Sequence, residues 1–374
     1  MAIKFSSDKT TLASVIFPAL YATSNKSTLP ALEGLLFKLE GNVLTVCGYD
    51  LEKGIQTSAV VFGQEDGSVV LNSSKISGII KNFPECDISF EGDDKNVVLI
   101  CGGESEFAIH GIDASAFPAM PELRGENKMK IKGGTLRDLI FSTNHAVASS
   151  DSRPLLKGEL FCLENGNLTV VSTDNFRMAL REIKNCIEAE KEEYTFIVPG
   201  KALNDLAKLV TDNDEEIAIE FTRKYVIFRC PDVILFSRLL EGEFLDYKKV
   251  IPRTGKTFVK INRLAFIESV ERASLLIDEK MRTPLRCKFS GEILNISCST
   301  QYGRVNDNIN IELSGDDIEI GFNNRYILDA LRACKDDEIM LTMSSPLMSM
   351  IITSVKEEEN GKYIYLVVPM RFIS

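Results

Sequence analysis

Polar and apolar positions follow one order along this chain, and the order recurs. Short alternating segments at Ala2–Phe5, Lys128–Ile131 and Thr257–Ile261 predict strands. Each runs into a polar residue able to cap a helix: Ser7 or Asp8, Thr135, and Asn262. Helix-like stretches follow at Thr10–Tyr21, Leu136–Ala146 and Arg263–Leu276. In the last, Leu264, Ile267, Val270, Ala273 and Ser274 fall near the i, i+3, i+4 spacing of one buried face. Pro18 is expected to kink the first helix or end it early. Paired strand-like runs come next, Leu32–Leu39 with Asn42–Tyr49, Leu160–Leu163 with Asn167–Ser172, and Leu285–Phe289 with Ile293–Ser297. A second helix is predicted at Ser74–Asn82, Gly200–Val210 and Asn324–Cys334, before two or three closing strands.

The turns inside the paired runs give the period. Gly41-Asn42-Val43-Leu44-Thr45-Val46, Gly166-Asn167-Leu168-Thr169-Val170-Val171 and Gly291-Glu292-Ile293-Leu294-Asn295-Ile296 are one turn-plus-strand phrase, repeated at 125-residue intervals (166 − 41 and 291 − 166). Solenoid repeats run to about 20–50 residues, whereas a whole domain is commonly about 100–150. The chain therefore reads as three tandem copies of one α+β domain, each two helices laid on antiparallel sheets: 1–125, 126–253 and 254–374. The boundaries fall in the turn-rich segments Phe117-Pro118-Ala119-Met120-Pro121 and Val250-Ile251-Pro252-Arg253-Thr254-Gly255.

Composition narrows the class. With 44% hydrophobic and 26% charged residues the chain is ordinary globular protein. It carries no apolar run near the ~18–20 residues of a membrane span, and its first residues lack a signal-peptide layout. The nine cysteines are scattered without a Cys-x-x-Cys pair, which suits reduced thiols in a cytoplasmic protein. Two histidines, His110 and His145, and no Cys/His cluster leave no metal site in view.

A net charge of −11 argues against phosphate binding until the cations are placed. The second helix carries Lys75 and Lys81 in copy one, Lys201 and Lys208 against Asp205 in copy two, and Arg325, Arg332 and Lys335 against Asp329 in copy three. It is net positive three times in a negative chain. Lys26 and Arg153 add cations near the first helices. Scattered, non-aromatic cations suit loose phosphate contact rather than base reading.

Catalytic signatures are missing. There is no Gly-x-x-x-x-Gly-Lys-Ser/Thr loop, no Gly-x-Gly-x-x-Gly after a strand and no Gly-x-Ser-x-Gly elbow. Asp212-Asn213-Asp214-Glu215-Glu216 reads as an exposed turn. Asp50 and Asp174 occupy related positions, but copy three has Thr300 there, and no partner acid is evident. His145 reads as a helix-end or loop residue. A hydrolase or transferase using a cleft between repeats would need an acid/base constellation, and a three-domain structural or adhesive protein would be expected to carry a secretion signal; the sequence displays neither.

Four phrases carry a resemblance: Thr28-Leu29-Pro30-Ala31-Leu32, Ser172-Thr173-Asp174-Asn175-Phe176-Arg177-Met178, Glu241-Gly242-Glu243-Phe244-Leu245-Asp246-Tyr247 and Val367-Val368-Pro369-Met370-Arg371. In that order, inside a threefold repeat, the chain resembles the bacterial sliding clamps, the β subunits of DNA polymerase III. The resemblance implies a non-catalytic processivity factor without a cofactor. It implies a head-to-tail homodimer that closes six clamp domains into a ring around duplex DNA. Twelve lining helices about 8–10 Å apart would make a circle about 30–40 Å across, which passes a duplex roughly 20 Å wide. Ring closure would let an acidic protein hold DNA without tight, salt-sensitive contacts.

The resemblance also implies a groove between the second and third domains. It would take a Gln-Leu-x-Leu-Phe-like peptide from the polymerase III α subunit, the clamp loader, other polymerases and repair proteins. The matching positions are Leu156, Thr173, Asn175, Phe176, Arg177, Met178, Lys249 and Val250, with Asn323, Tyr326, Leu347, Leu366, Val368, Pro369, Met370 and Arg371. DNA-facing positions would be Lys26, Lys75, Lys81, Arg153, Lys201, Lys208, Arg325 and Arg332, and the dimer contact would set Phe107 and Ile109 against Leu275 and Leu276. The chain departs from the family at Asn175-Phe176, where Gly-His is common, at Leu245, where Pro is usual, and in a tail running on through Phe372-Ile373-Ser374.

Overall fold

The structure is a computed structural model that describes residues 3–372 apart from 25, 123, 151–152, 212, 253, 278–282 and 357–358. Six α-helices are described: α1 (Lys9–Ala19), α2 (Ser73–Asn82), α3 (Gly133–Thr143), α4 (Gly200–Leu209), α5 (Arg263–Ser274) and α6 (Asn324–Ala333). Each falls where the pattern placed it, within a few residues. The expected caps Asp8 and Asn262 accept from the backbone N–H groups of Thr11 and Ala265. Thr135 does not cap: α3 already begins at Gly133, and Thr135 sits in its first turn. Pro18 lies in the last turn of α1, which ends at Ala19 and passes into a 3-10 turn at Leu20–Ala22. Leu32, read as strand, belongs instead to a 3-10 turn at Pro30–Glu33.

The repeated glycines have a conformational reason. Gly41, Gly166 and Gly291 all adopt positive φ (60°, 79° and 57°) at the tips of hairpins. In the second copy Asn165 is left-handed as well, φ 51°, the two-residue geometry that matches strand twist.

Two compact units are formed, residues 1–133 with 208–239, and residues 134–207 with 240–374. In the first, a five-stranded sheet runs Phe62–Glu65, Ile3–Asp8, Asp87–Gly92, Val97–Gly102, Ser105–His110. A second sheet passes through Gly67–Asn72, Gly34–Glu40, Val43–Tyr49 and Lys53–Val60. It then continues into Val233–Arg238, Tyr225–Arg229, Glu216–Phe221 and Asn127–Lys132. Strands of the second sequence copy thus complete a sheet begun by the first. The core between sheets and helices holds Phe5, Phe37 and Phe90, with Leu12 and Ile16 from α1 and Ile76 and Ile80 from α2.

The second unit repeats the device. A nine-stranded antiparallel sheet runs Glu193–Pro199, Gly158–Glu164, Asn167–Thr173, Arg177–Ile183, Gly361–Val367, Met350–Ser354, Glu338–Met343, Thr257–Asn262, Glu312–Gly315. Arg177–Ile183 pairs with Gly361–Val367, joining strands of the second and third copies. A four-stranded sheet runs Gly303–Asn310, Ile293–Thr300, Leu285–Ser290, Ile318–Phe322. α5 and α6 pack on these strands around Phe266, Phe289, Phe322 and Leu331. All nine cysteines are free. Burial pushes the Cys47, Cys287 and Cys334 thiols up to about 12, so these side chains behave as small apolar groups. No described helix is long and apolar enough to cross a membrane.

Candidate functional site

The strand Asn167–Thr173 ends in a tight turn that builds one wall of a cavity of about 590 Å³ in the second unit. Asn175 takes φ 72° there, a left-handed conformation that asparagine tolerates better than most side chains, so the turn survives without glycine. Asp174 holds it by accepting from the backbone N–H groups of Phe176 (2.9 Å) and Arg177 (3.0 Å). Asp50 does the same for Glu52 and Lys53 in the first unit. The paired acids are turn caps, not catalysts.

The turn projects Phe176 outward, 59% exposed. Its ring stacks on Tyr326, with centroids 6.4 Å apart and planes 22° from parallel. Arg177 lies beneath, its guanidinium 4.5 Å from the centre of the Tyr326 ring. Arg177 Nε donates to Asp174 Oδ2 (3.0 Å) and Nη1 to Asp329 Oδ2 (2.6 Å). Tyr326 is presented from the first turn of α6, where Asn323 Oδ1 accepts from the N–H groups of Arg325 and Tyr326. Behind them His145 stands edge-on to Tyr365, its ring centroid 5.4 Å away. Burial, and then the Arg177 charge, hold its imidazole down to about 4, so it is neutral near pH 7. It lies in a 3-10 turn just after α3, a helix-end position.

The opposite wall is the chain's own end. Val368 N–H donates to the Phe176 carbonyl (2.8 Å) and Met370 N–H to the Gly321 carbonyl (2.7 Å). Val368, Pro369 and Met370 face Phe176, Arg177, Asn323 and Tyr326 across the space. The result is an open cavity of mixed character, an apolar wall and aromatic faces set among fixed polar groups, a layout that suits a small-ligand or peptide-anchor site.

Of the residues assigned to the groove from sequence, Phe176, Arg177, Asn323, Tyr326, Val368, Pro369 and Met370 line this cavity. Met178 and Leu366 are cross-strand partners buried in the adjoining apolar cluster, which also takes in Tyr247, Phe244 and Leu245. Leu156 and Thr173 are buried too. Asn175 shapes the turn without reaching the lining, while Leu347, Lys249, Val250 and Arg371 are exposed and lie off it. Lys249 instead pairs with Asp246 (2.8 Å). Sequence reasoning missed Val147, Ser149, Ile277, Thr283 and Asn324 on the lining, and Asp329 beneath Arg177. Asp174 was in view and set aside as a catalyst, but its turn-holding role was not read; its signal was an acid three residues before an arginine in a turn.

The cations assigned to DNA, Lys26, Lys75, Lys81, Arg153, Lys201, Lys208, Arg325 and Arg332, are all exposed. The acids set against them are not. Asp205 is 6% exposed and Asp329 is engaged by Arg177, so the outer faces of α4 and α6 are more positive than a charge count suggests. Three of the cations have other engagements: Arg325 lines the cavity, Arg332 pairs with Glu271 (2.8 Å), and the Lys208 ammonium sits 4.8 Å from the Tyr21 ring centre. Arg137, exposed on α3, was not singled out from sequence.

Phe107, 40% exposed, stands on the edge strand Ser105–His110 against Phe83 (5.5 Å between ring centroids), with Ile109 half-buried beside it. Leu275, 84% exposed, and half-buried Leu276 follow α5. Among the described residues no group of acids, histidines and cysteines is arranged to hold a metal ion.

Known proteins match this chain in the order its own repeat predicts. Residues 3–121, 130–246 and 248–371 match, in turn, the N-terminal, central and C-terminal domains of the DNA polymerase III beta subunit. The chain is 31% identical to the beta sliding clamp of Staphylococcus epidermidis over 362 residues, 94% of this chain and 95% of that one. It is 30% identical to the beta sliding clamp of Bacillus subtilis over 380 residues, 99% and 100% of the two chains. The crystal structure of the DNA polymerase sliding clamp from Bacillus subtilis superposes with a TM-score of 0.93 at 28% identity, covering 100% of both chains. Three domain matches in tandem and a shared fold over the whole length leave one assignment: the chain belongs to the β sliding clamp family, the non-catalytic processivity subunits of DNA polymerase III that serve DNA replication.

Proposed function

We propose that two copies of this chain close head to tail into a ring of six domains, 1–125, 126–253 and 254–374 from each, and slide on the duplex they enclose. Each compact unit has an edge strand, Ser105–His110 carrying Phe107 and Ile109, and Gly303–Asn310 near Leu275 and Leu276. Exposed edges with apolar neighbours favour pairing with another chain. Lys26, Lys75, Lys81, Arg153, Lys201, Lys208, Arg325 and Arg332 supply the cations for loose contact with the enclosed phosphates. Replication places the protein in the cytoplasm, in keeping with nine free cysteines.

The cavity between Phe176, Tyr326 and the terminal segment is the docking site for a short Gln-Leu-x-Leu-Phe-like peptide carried by the polymerase, the clamp loader and repair proteins. The observation that carries this is an exposed Phe176 pre-stacked on half-buried Tyr326 and held by half-buried Arg177, facing an apolar wall. A preformed site of this kind binds without a large ordering cost. Leu156, Thr173, Asn175, Met178 and Leu366 support the floor, and Lys249, Val250, Leu347 and Arg371 form the outer approach.

Topological capture has a direct test. Protein loaded onto a nicked circular plasmid should be retained, then lost when a nuclease linearises the circle. Occupancy that survives linearisation rejects the ring. The interface has its own: Phe107→Asp should bring the solution mass at micromolar concentration from two chains to one, because a carboxylate would be forced into an apolar contact. An unchanged mass removes Phe107 from the interface.

A further inference from the structure

We propose that Phe372, Arg286 and Gly321 are positioning residues for the peptide site: they anchor the end of the chain so that Pro369 and Met370 stand as the cavity wall. The proposal rests on the reading of that cavity as a peptide site.

The wall is thin. Residues 368–370 hang between two backbone bonds, from Val368 to the Phe176 carbonyl and from Met370 to the Gly321 carbonyl. Pro369 between them has no N–H to donate, and Met370 forms a single isolated bridge with Gly321 rather than a strand. A bridge of one residue has no neighbouring ladder bonds to hold it, so a fixed point beside it decides whether the wall stands. Phe372 is that point. The Arg286 guanidinium carbon lies 4.2 Å from the centre of the Phe372 ring.

Arg286 is itself held from two sides. It sits opposite Gly321 in the pairing of Leu285–Ser290 with Ile318–Phe322, and its Nη1 lies 2.5 Å from Glu319 Oε1. The cation is therefore oriented before the ring arrives, which is where a cation–π contact gains most.

Gly321 makes the approach possible. A Cβ at this position would lie 2.6 Å from the Met370 carbonyl oxygen and 2.9 Å from Cε1 of Phe372. Any side chain would push away both the bridge and the anchoring ring. The same strand leads through Phe322 to Asn323, the cap that sets Tyr326. One short segment thus fixes both the tail and the aromatic it faces.

The test uses the full-length protein, a fluorescein-labelled Gln-Leu-Ser-Leu-Phe peptide read by anisotropy, and amide hydrogen exchange across residues 366–372. Phe372→Ala and Arg286→Ala should each weaken peptide binding about three- to tenfold, and the double variant no further than either single one. Phe372→Tyr and Arg286→Lys should restore affinity, since each keeps a ring or a cation. Gly321→Val should weaken binding at least as much as Phe372→Ala. Exchange at the Met370 amide should quicken in every weakened variant, while the thermal midpoint and solution mass stay at the wild-type values. Unchanged Met370 exchange in Phe372→Ala overturns the anchor. Faster exchange with unchanged peptide affinity overturns the positioning role. A wild-type chain that ignores the peptide rejects the peptide-site reading, and the positioning role with it.

Discussion

A chain that ends at Pro369 is expected to lose capture of a Gln-Leu-x-Leu-Phe peptide by roughly two orders of magnitude while keeping the mass of a dimer. The truncation removes Met370, which lines the cavity and donates to the Gly321 carbonyl, and with it the ring that sits on Arg286. Burial of one such apolar side chain is worth about 1.5–3 kcal/mol, and about 1.4 kcal/mol is tenfold in affinity. The loss of the wall's second backbone bond lets Pro369 move as well, which adds to the effect. The residues proposed for dimerisation, Phe107, Ile109, Leu275 and Leu276, lie on other elements and are untouched. Isothermal titration of the peptide, with sedimentation to give the mass, reads both halves. Wild-type affinity in the truncated chain would reject the tail as a wall, and a monomer would reject its separation from the interface.

The parts of this molecule that sequence revealed are those in which local chemistry and the final fold agree. Gly41, Gly166 and Gly291 repeat because each hairpin tip needs positive φ. Asp8 and Asn262 mark helix starts because their side chains satisfy N–H groups that no other backbone partner reaches. What was hidden depended on pairings far apart in the chain. Lys53–Val60 pairs with Val233–Arg238, so the compact units do not divide where the sequence copies do. No local pattern can report such a pairing. The burial of Asp205 was equally hidden, since a lone acid at one position of an amphipathic helix reads as solvent-facing.

At the site, the aromatic and tail residues were legible through the family phrases, but Asp329 was not. It lies 152 positions from Arg177, and in sequence it looked like a counter-charge to Arg325 and Arg332. Its partner is decided by the way α6 packs. Phe176 was legible as a departure from the family, whereas its stacking on Tyr326 was not, because the two rings come from different copies.

Glu159 was invisible in the sequence, and it controls the second large effect. Glu159→Gln is expected to flatten the fall in stability with rising pH and to leave the variant more stable than wild type at pH 8. The carboxyl is fully buried in the strand Gly158–Glu164, and burial pushes it up to about 8. The hydrogen bonds from Thr143 and Asn144 work the other way, favouring the ionised form, and burial outweighs them. Thr143 Oγ1 lies 2.5 Å from Glu159 Oε2 and 2.7 Å from the Leu139 carbonyl oxygen, which can only accept. A hydroxyl has one proton: Thr143 donates it to a Glu159 carboxylate, or turns it to Leu139 and accepts from the carboxyl once Glu159 is protonated. Asn144 Nδ2 completes the set, donating to Glu159 Oε1 (2.7 Å) and to the Gly200 carbonyl (2.8 Å).

This network ties the end of α3 to the start of α4. With a folded value near 8 against an ordinary 4.5, the folded state holds its proton more tightly than the unfolded chain. The contribution is whole below about pH 4.5 and declines as pH rises through about 8, at about 1.4 kcal/mol per unit. The total loss is roughly 3–5 kcal/mol. Glutamine has the shape of the neutral acid: its amide N–H donates to Thr143 and its oxygen accepts from Asn144, with no proton to lose. Thermal midpoints from pH 5 to 9 should therefore diverge, wild type falling from about pH 5 to about 8 and levelling beyond, and Glu159→Gln holding level. Parallel curves would show that the carboxyl is already ionised in the folded chain, and that Thr143 rather than Glu159 supplies the shared proton.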